Sequence, residues 1–195
     1  MENTPEQPEK SSFWSEIVTF LVIAVCIVLP FRIFIAEPYI VSGTSMYPTF
    51  DTGHYLIVNK IAYRLHAPQR FDVVVMVFPK DESKDFIKRV IGLPGETVQI
   101  VAGKVTIINS EHPEGMLLDD SFVQYPKTDD NQTTVLKDDE YFVMGDNRAG
   151  SYDSRYWGPL PKKDIVGYPI LRLYPFSQIS ITPGSLDSSQ AGSTQ

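Results

Sequence analysis

The chain has one cysteine and no excess of positive charge. Cys26 lies inside an apolar run of this 195-residue chain, so the rest of the chain has neither a disulfide nor a thiolate metal site. The 17 basic and 24 acidic side chains give a net charge of -7, which argues against a nucleic-acid partner held through its phosphates. The three histidines are scattered, with no two spaced to share one helical face. We therefore expect no bound metal and no other cofactor.

An uncharged apolar run lies close to the N-terminus. No residue from Ile17 to Phe31 is charged, and the run extends to Ala36 if the long side chain of Arg32 reaches the membrane surface. The segment has neither the basic start nor the small-residue cleavage site of a removable signal peptide, and a buried helix is disfavoured because the rest of the chain is strand-like. We predict a transmembrane anchor over residues 13–36, after a disordered tail over residues 1–12.

Short β-rich segments dominate the rest of the chain. They are bounded by Gly, Pro or charged residues, and no amphipathic helix longer than two turns is indicated after residue 65. The predicted strands cover residues 39–41, 55–58, 72–78, 85–91, 98–101, 104–108, 141–144 and 165–174. Ala102 and Gly103 predict a hairpin between two of them. We expect a mostly β domain of antiparallel sheets over residues 37–180, with an irregular insertion at 109–139 and a disordered tail at 181–195.

A candidate nucleophile lies in the block of residues 42–49. Ser45 stands between Gly43 and Pro48, a setting typical of a tight, exposed turn at the end of a strand. Capping of such a turn would by itself explain the serine. A serine hydroxyl becomes an effective nucleophile only beside a base, so the assignment depends on finding one.

A candidate base lies in the block of residues 86–96. In a strand, Lys88 shares one face with Phe86 and Val90, while Arg89 points to the other. An amine among apolar side chains has a pKa below the usual value of about 10.4, which a lysine base requires. A charge that protects an edge strand from aggregation is the alternative role for this lysine. Arg89 cannot be the base because a guanidinium stays protonated.

Together with the anchor and two further blocks, these segments resemble bacterial type I signal peptidases. The further blocks are residues 70–75 and 145–155, and all four blocks follow one another in the family's order. The resemblance extends from residue 13 to about residue 176. It implies a membrane-bound serine endopeptidase that cleaves signal peptides from exported preproteins after small residues of the Ala-x-Ala type.

The resemblance implies a role for each residue of the site. Ser45 is the nucleophile and Lys88 the general base, with Ser45 and Gly43 at the oxyanion site. Some family members have a serine where this chain has Gly43, so a side-chain donor is missing and backbone groups or Thr44 would have to compensate.

Supporting and substrate-binding roles are implied as well. Ser151 accepts a hydrogen bond from the lysine amine and orients it. Structural support comes from Asp146, Arg148, Asp153 and Arg155. The pockets for small substrate side chains are narrowed by Val41, Met46, Phe86 and Ile87.

The resemblance also implies where the protein works. The partners are signal peptides and the lipid bilayer of the bacterial cytoplasmic membrane, with the catalytic domain on the extracytoplasmic face of a single-pass, monomeric protein. The sequence alone does not fix this orientation, because Lys10 and Arg32 lie on opposite sides of the apolar run.

Two other functions remain to be compared. A Ser/Lys autoprotease of the SOS-repressor kind would share the nucleophile and base, but it predicts an internal cleavage site and a DNA-binding domain. A membrane-anchored domain that binds peptides without cutting them would need no serine and lysine in matching blocks. A cleavage assay with a preprotein separates the three.

Overall fold

The computed structural model describes residues 13–34 and 36–186, without the side chains of residues 28–34. The chain divides into two compact units, with the boundary between Ile35 and Ala36. The predicted tail over residues 1–12 lies outside the described residues.

The first unit contains helix α1, Phe13–Phe34. This helix lies within the predicted anchor, and its large apolar side chains before residue 28 are mostly exposed, for example Phe20 at 70% and Ile27 at 63%. Within the part of the chain that the structure describes, no helix is both long enough and apolar enough to span a bilayer. The membrane crossing stays a prediction.

The second unit is mostly β, as the sequence predicts. Its helices after residue 60 are single turns, α2 at Ala62–Leu65 and α3 at Ser154–Trp157. Short 3₁₀ turns occur at Lys162–Asp164 and Phe176–Gln178. The strands are β1 Ala36–Ile40, β2 Tyr55–Asn59, β3 Val73–Phe78, β4 Asp81–Gly92, β5 Thr97–Val101, β6 Lys104–Ile108, β7 Met116–Leu117, β8 Gln132–Val135, β9 Glu140–Met144, β10 Leu160–Pro161, β11 Ile165–Tyr174 and β12 Ser180–Ile181.

The larger sheet has the strand order β1-β2-β11-β3-β4-β9-β10, and β12 pairs with β11. Its pairings are antiparallel, and β3 is apolar throughout because it is buried on both faces of the sheet. Strand β4 pairs with β3 from its first residue, whereas β9 pairs only with Arg89 and the residues after it. The edge of β4 that precedes Arg89 is thus open on the β9 side.

The smaller sheet has the order β7-β6-β5-β8 and packs over an apolar core that it shares with residues of β4 and β9, among them Ile91 and Phe142. The predicted hairpin joins β5 to β6, and both Ala102 and Gly103 have the positive φ angles that a two-residue turn of this kind requires. Strands β7 and β8 both come from the 109–139 segment. The expectation of an irregular insertion was therefore wrong for these residues, because strands this short are stabilised by pairing with β5 and β6 and have little sequence signal of their own.

The ordered chain also continues beyond residue 180. Strand β12 pairs with β11, and the carbonyl of Gly184 accepts a hydrogen bond from the buried Arg89 at 2.7 Å. Leu186 packs against the apolar core that the two sheets share. Residues 181–186 are consequently part of the fold rather than of a tail, and residues 187–195 lie outside the described residues.

Candidate active site

Ser45 and Lys88 are in direct contact. The Lys88 Nζ donates a hydrogen bond to the Ser45 Oγ at 2.7 Å and a second to the carbonyl of Ile87 at 3.1 Å. Because only 3% of Lys88 is exposed, the amine depends on these two acceptors rather than on water. The structure thus brings together the candidate nucleophile and the candidate base, which come from separate sequence blocks.

Burial lowers the pKa of Lys88. Desolvation is the largest cause and brings the pKa from 10.5 to about 8, although the negative charges of Asp153 and Asp146 partly oppose it. The positive charge of Arg155 lowers it further. An appreciable fraction of the amine is therefore neutral at mildly alkaline pH and can accept the Ser45 proton.

Ser45 lies on a turn that is fixed to the core beneath it. Met46 and Phe50 are buried in one apolar cluster, and the Phe50 N–H donates to the Met46 carbonyl at 2.9 Å. Thr49 donates its hydroxyl to the Asp146 Oδ2 at 2.6 Å. The neighbouring side chains thus hold the turn while Ser45 itself faces Lys88.

The two residues expected at the oxyanion site differ in whether their backbone N–H groups already donate a hydrogen bond. The Ser45 N–H makes no hydrogen bond to any other described residue, so it is available to a substrate oxygen. The Gly43 N–H already donates to the Thr52 Oγ1 at 3.0 Å. Gly43 has φ +96°, a region that residues with a side chain rarely adopt, so a serine in this backbone conformation would be strained.

Asp146 forms a buried ion pair with Arg89. The Arg89 Nε donates to one carboxylate oxygen of Asp146 at 2.7 Å and its Nη2 donates to the other at 2.6 Å. Both side chains are 1% exposed. Through this ion pair and the hydrogen bond from Thr49, Asp146 links strand β4 to the turn that contains Ser45.

Asp153 and Arg155 form a second pair beside the site. The Asp153 Oδ2 accepts the N–H of Gly145 at 3.0 Å, and the guanidinium of Arg155 donates to both carboxylate oxygens, each at 2.8 Å. Burial disfavours the charge of Arg155, but the hydrogen bonds and charges of Asp153 and Asp130 outweigh it and raise its pKa. Both residues support the backbone next to Ser45 rather than contacting its hydroxyl.

Arg148 is buried, but its side chain has fewer hydrogen-bond partners among the described residues than that of Arg155. Its carbonyl accepts a hydrogen bond from Arg155 at 2.8 Å, but its Nε has no partner among the described residues. Burial lowers the pKa of Arg148 to about 10. Its guanidinium lies 5.9 Å from the ring centre of Phe122, whose ring also lies against Arg89.

Ser151 does not make the hydrogen bond that the resemblance implied. Its Oγ is buried with no partner among the described residues, while the Lys88 amine bonds to Ser45 and Ile87. A Cβ placed on Gly145 would be 2.3 Å from both the Ser151 Oγ and the Ser45 carbonyl oxygen, so Ser151 is a close neighbour of the site. The hydroxyl is therefore present beside the nucleophile turn, and only its bond to the amine is missing.

An apolar groove of about 320 Å³ opens at the Ser45–Lys88 pair. It is lined by residues 39–45 on one side and 85–88 on the other, including Val41, Phe86 and Ile87. Met46 does not line it, because its side chain is 1% exposed and packs in the core with Val41. Three of the four residues predicted to bind substrate therefore line the groove, whereas Met46 packs behind its wall.

Sequence reasoning missed two partners of the site. Arg89 was excluded as a base but not assigned to Asp146, although its position on the face opposite Lys88 was a usable signal. Asp130, whose carboxylate binds Arg155 at 2.6 Å, had no signal because 25 residues separate the two.

Comparison with known proteins identifies the family. The family described as signal peptidase, peptidase S26, matches residues 14–174 of the chain. A probable signal peptidase I-1 of Synechocystis sp. is 36% identical over 185 residues, which cover 91% of this chain and 91% of that protein. Signal peptidase I of Bacillus caldolyticus is 37% identical over 166 residues, 81% of this chain and 90% of that protein. A crystal structure of a signal peptidase I from Enterococcus faecalis is 29% identical, with a TM-score of 0.44, and covers 52% of this chain and 95% of that one.

The family match extends over most of the chain, and the two sequence relatives are similar to it over most of their own lengths. The chain therefore belongs to the signal peptidase family, peptidase S26, and is a serine peptidase.

Proposed function

We propose that this protein cleaves signal peptides from exported preproteins with a Ser45/Lys88 dyad. The observation that carries the proposal is the 2.7 Å hydrogen bond between the Lys88 Nζ and the Ser45 Oγ, made by an amine whose pKa burial lowers to about 8. The neutral amine takes the Ser45 proton as Oγ attacks the scissile carbonyl, and the Ser45 N–H binds the resulting oxyanion. Lys88 then returns the proton to the leaving amine, and a water that it activates hydrolyses the acyl-enzyme.

The substrate binds as an added strand in the groove. Among the strands that the structure describes, β1 pairs with β2 alone and residues 85–88 of β4 pair with β3 alone, so each presents an unpaired backbone edge. The groove lies between these two edges. An extended peptide there would hydrogen-bond to both, which is the usual way that sheet edges bind peptides.

Small residues are selected because the groove walls are fixed. The ring of Phe86 stacks on Phe78 with 4.6 Å between centres, and Ile87 packs against the cluster that contains Val41 and Met46. Side chains held in this way cannot move aside at low cost for a large substrate residue. This supports cleavage after alanine or residues of similar size.

We place the catalytic unit at the extracytoplasmic face of the cytoplasmic membrane, with α1 as the attachment. The described part of α1 exposes large apolar side chains, including Val18 at 56% and Leu21 at 54% as well as Phe20 and Ile27. A contiguous apolar surface of this kind is unfavourable in water and favourable in lipid.

Cleavage of a defined preprotein tests the proposed reaction. The full chain in detergent, mixed with a preprotein that carries an Ala-x-Ala site, should produce one cut after the last alanine, identified by mass spectrometry. Ser45→Ala and Lys88→Met should each lower the rate by about 10⁴-fold or more. Lys84→Met is the matched control, because Lys84 lies on the same strand with 61% of its side chain exposed and pairs with Asp81. Normal turnover by Lys88→Met, or cleavage of the chain itself instead of the preprotein, would refute the dyad or the reaction class.

Removal of residues 1–35 tests the membrane attachment. The remaining unit should stay folded and cleave peptides, while the full chain sediments with lipid vesicles and the shortened one does not. Equal recovery of both proteins from the aqueous fraction would contradict the attachment without affecting the dyad.

A further inference from the structure

The 119–131 segment contacts the 145–155 block beside the active site. The Asp130 Oδ2 accepts a hydrogen bond from the Arg155 Nη1 at 2.6 Å, and the Tyr125 carbonyl accepts the Ala149 N–H at 3.1 Å. These contacts belong to a segment that the catalytic proposal leaves without a role. They indicate that the segment does more than connect β7 to β8.

Asp130 is itself held firmly. Its carboxylate also pairs with Lys127, and its backbone carbonyl accepts the N–H of Gly103 at 3.1 Å, at the tip of the β5–β6 hairpin. The side chain of Asp130 is 13% exposed and that of Arg155 only 3%. A charged pair this well shielded restricts both side chains to one geometry.

From Arg155 the contacts lead to the nucleophile in three steps. Arg155 binds both carboxylate oxygens of Asp153, and Asp153 in turn accepts the Gly145 N–H. Gly145 packs against the Ser45 carbonyl so closely that a Cβ there would be 2.3 Å from the oxygen. The next residues complete the contact, because the Asn147 N–H donates to the same carbonyl at 3.0 Å.

We propose that Asp130 is a positioning residue for the Ser45–Lys88 pair, acting through Arg155 and Asp153. This inference rests on the proposed catalytic role of that pair. Asp130 fixes the guanidinium of Arg155, Arg155 fixes the Asp153 carboxylate, and Asp153 holds the 145–147 backbone against the Ser45 carbonyl. Because Asp130 does not line the groove, it affects the catalytic step and leaves peptide binding unchanged.

Kinetics on Asp130→Asn test whether Asp130 affects the catalytic step. The variant keeps the shape of the side chain and removes the charge, so kcat should fall on the order of tenfold, less than the ~10²-fold that a 1 Å misplacement can cost, while KM stays within about twofold. Asp130→Glu should recover part of the loss. Asp129→Asn is the matched control: Asp129 is the adjacent acid and pairs with the same Lys127, but its side chain is 80% exposed and it does not bind Arg155.

Amide hydrogen exchange tests, without relying on activity, whether Asp130 holds the 145–147 backbone in place. In Asp130→Asn the Gly145 and Asn147 amides should exchange faster than in the parent protein, while amides of β3 and β11 keep their rates; Asp129→Asn should leave all of them unchanged. In an Arg155→Lys background, Asp130→Asn should add little further loss of kcat, because the two residues act in series.

The outcomes separate this inference from the proposed reaction. Equal kinetics for the two asparagine variants, a loss confined to KM, or a lowered kcat with unchanged exchange at Gly145 would each overturn the role of Asp130. Retained cleavage by Ser45→Ala would overturn the dyad instead, and the exchange result would still stand for the contacts.

Discussion

Arg89 and Asp146 form a two-bond ion pair inside the protein, with both side chains 1% exposed, although Arg89 directly follows Lys88 in the chain. The remaining Arg89 Nη1 donates to the carbonyls of Phe71 and Gly184. Since Asp146 also binds Thr49, this pair joins the strand of the base to the turn of the nucleophile.

Asp146→Asn should destabilise the protein strongly. It leaves the Arg89 charge buried without its counter-ion, which typically costs about 3–5 kcal/mol of unfolding free energy. Denaturant unfolding followed by circular dichroism measures this loss. Asp81→Asn breaks the solvent-exposed pair with Lys84 and should leave the unfolding midpoint unchanged. Equal midpoints for the two variants would show that the buried pair does not contribute to stability.

The rate of cleavage should rise with pH through the pKa of Lys88. Only the neutral amine can accept the Ser45 proton, and burial lowers that pKa to about 8. We therefore expect kcat/KM, which reports on the free enzyme, to increase through about pH 8 and to level off above it. A profile that rises only near the pKa of a solvated lysine would mean that the amine is not desolvated.

Lys88→Met should stabilise the protein, and the gain should depend on pH. The pKa of Lys88 is about 8 when folded and 10.5 in the unfolded chain. The unfolded chain therefore binds more protons between these values, so the parent protein loses stability as pH falls from 10.5 to 8.

Below pH 8 the burial of the protonated Lys88 amine lowers the unfolding free energy of the parent protein by its full amount, about 3 kcal/mol. The variant avoids this cost but loses the hydrogen bonds to Ser45 and Ile87, which reduces its gain. The difference in unfolding free energy between variant and parent should thus be largest at neutral pH and shrink as pH rises. Groups common to both proteins cancel in that difference. A difference that stays constant with pH contradicts the depressed pKa.

Ser151→Ala and Ser154→Ala should have opposite consequences. The Ser154 Oγ accepts the buried Val143 N–H at 3.0 Å, so its removal should cost about 1–3 kcal/mol of stability with little direct effect on catalysis. The Ser151 Oγ is buried without a partner among the described residues, so its loss should leave stability unchanged.

If the Ser151 hydroxyl binds the Lys88 amine during turnover, Ser151→Ala should still lower kcat, by roughly 10²-fold, with KM little changed. Thermal unfolding and steady-state kinetics on both variants measure the two effects. A fully active Ser151→Ala protein would show that the Ser151 hydroxyl has no role in catalysis.

The amino-acid sequence determined the local structure and the candidate chemistry. Alternating and continuous apolar residues predict the strands that carry Lys88 and Tyr141, and Ala102-Gly103 predicts its hairpin, because these features depend on residues close together in the chain. The faces of β4 also follow from the sequence, since neighbouring side chains of a strand point in opposite directions.

Only the tertiary structure decided which distant residues meet. Asp146 pairs with Arg89, which is 57 residues away in the chain, and Arg155 pairs with Asp130, which is 25 residues away. Strands β7 and β8 exist because β6 and β5 supply their hydrogen bonds, and Ser151 lies beside Gly145 while the Lys88 amine bonds to Ser45 and Ile87 instead. Contacts of this kind depend on the chain's path through three dimensions and have no counterpart in local spacing or composition. The lowered pKa of Lys88 has the same origin, because the burial that causes it exists only once the sheet has formed around the amine.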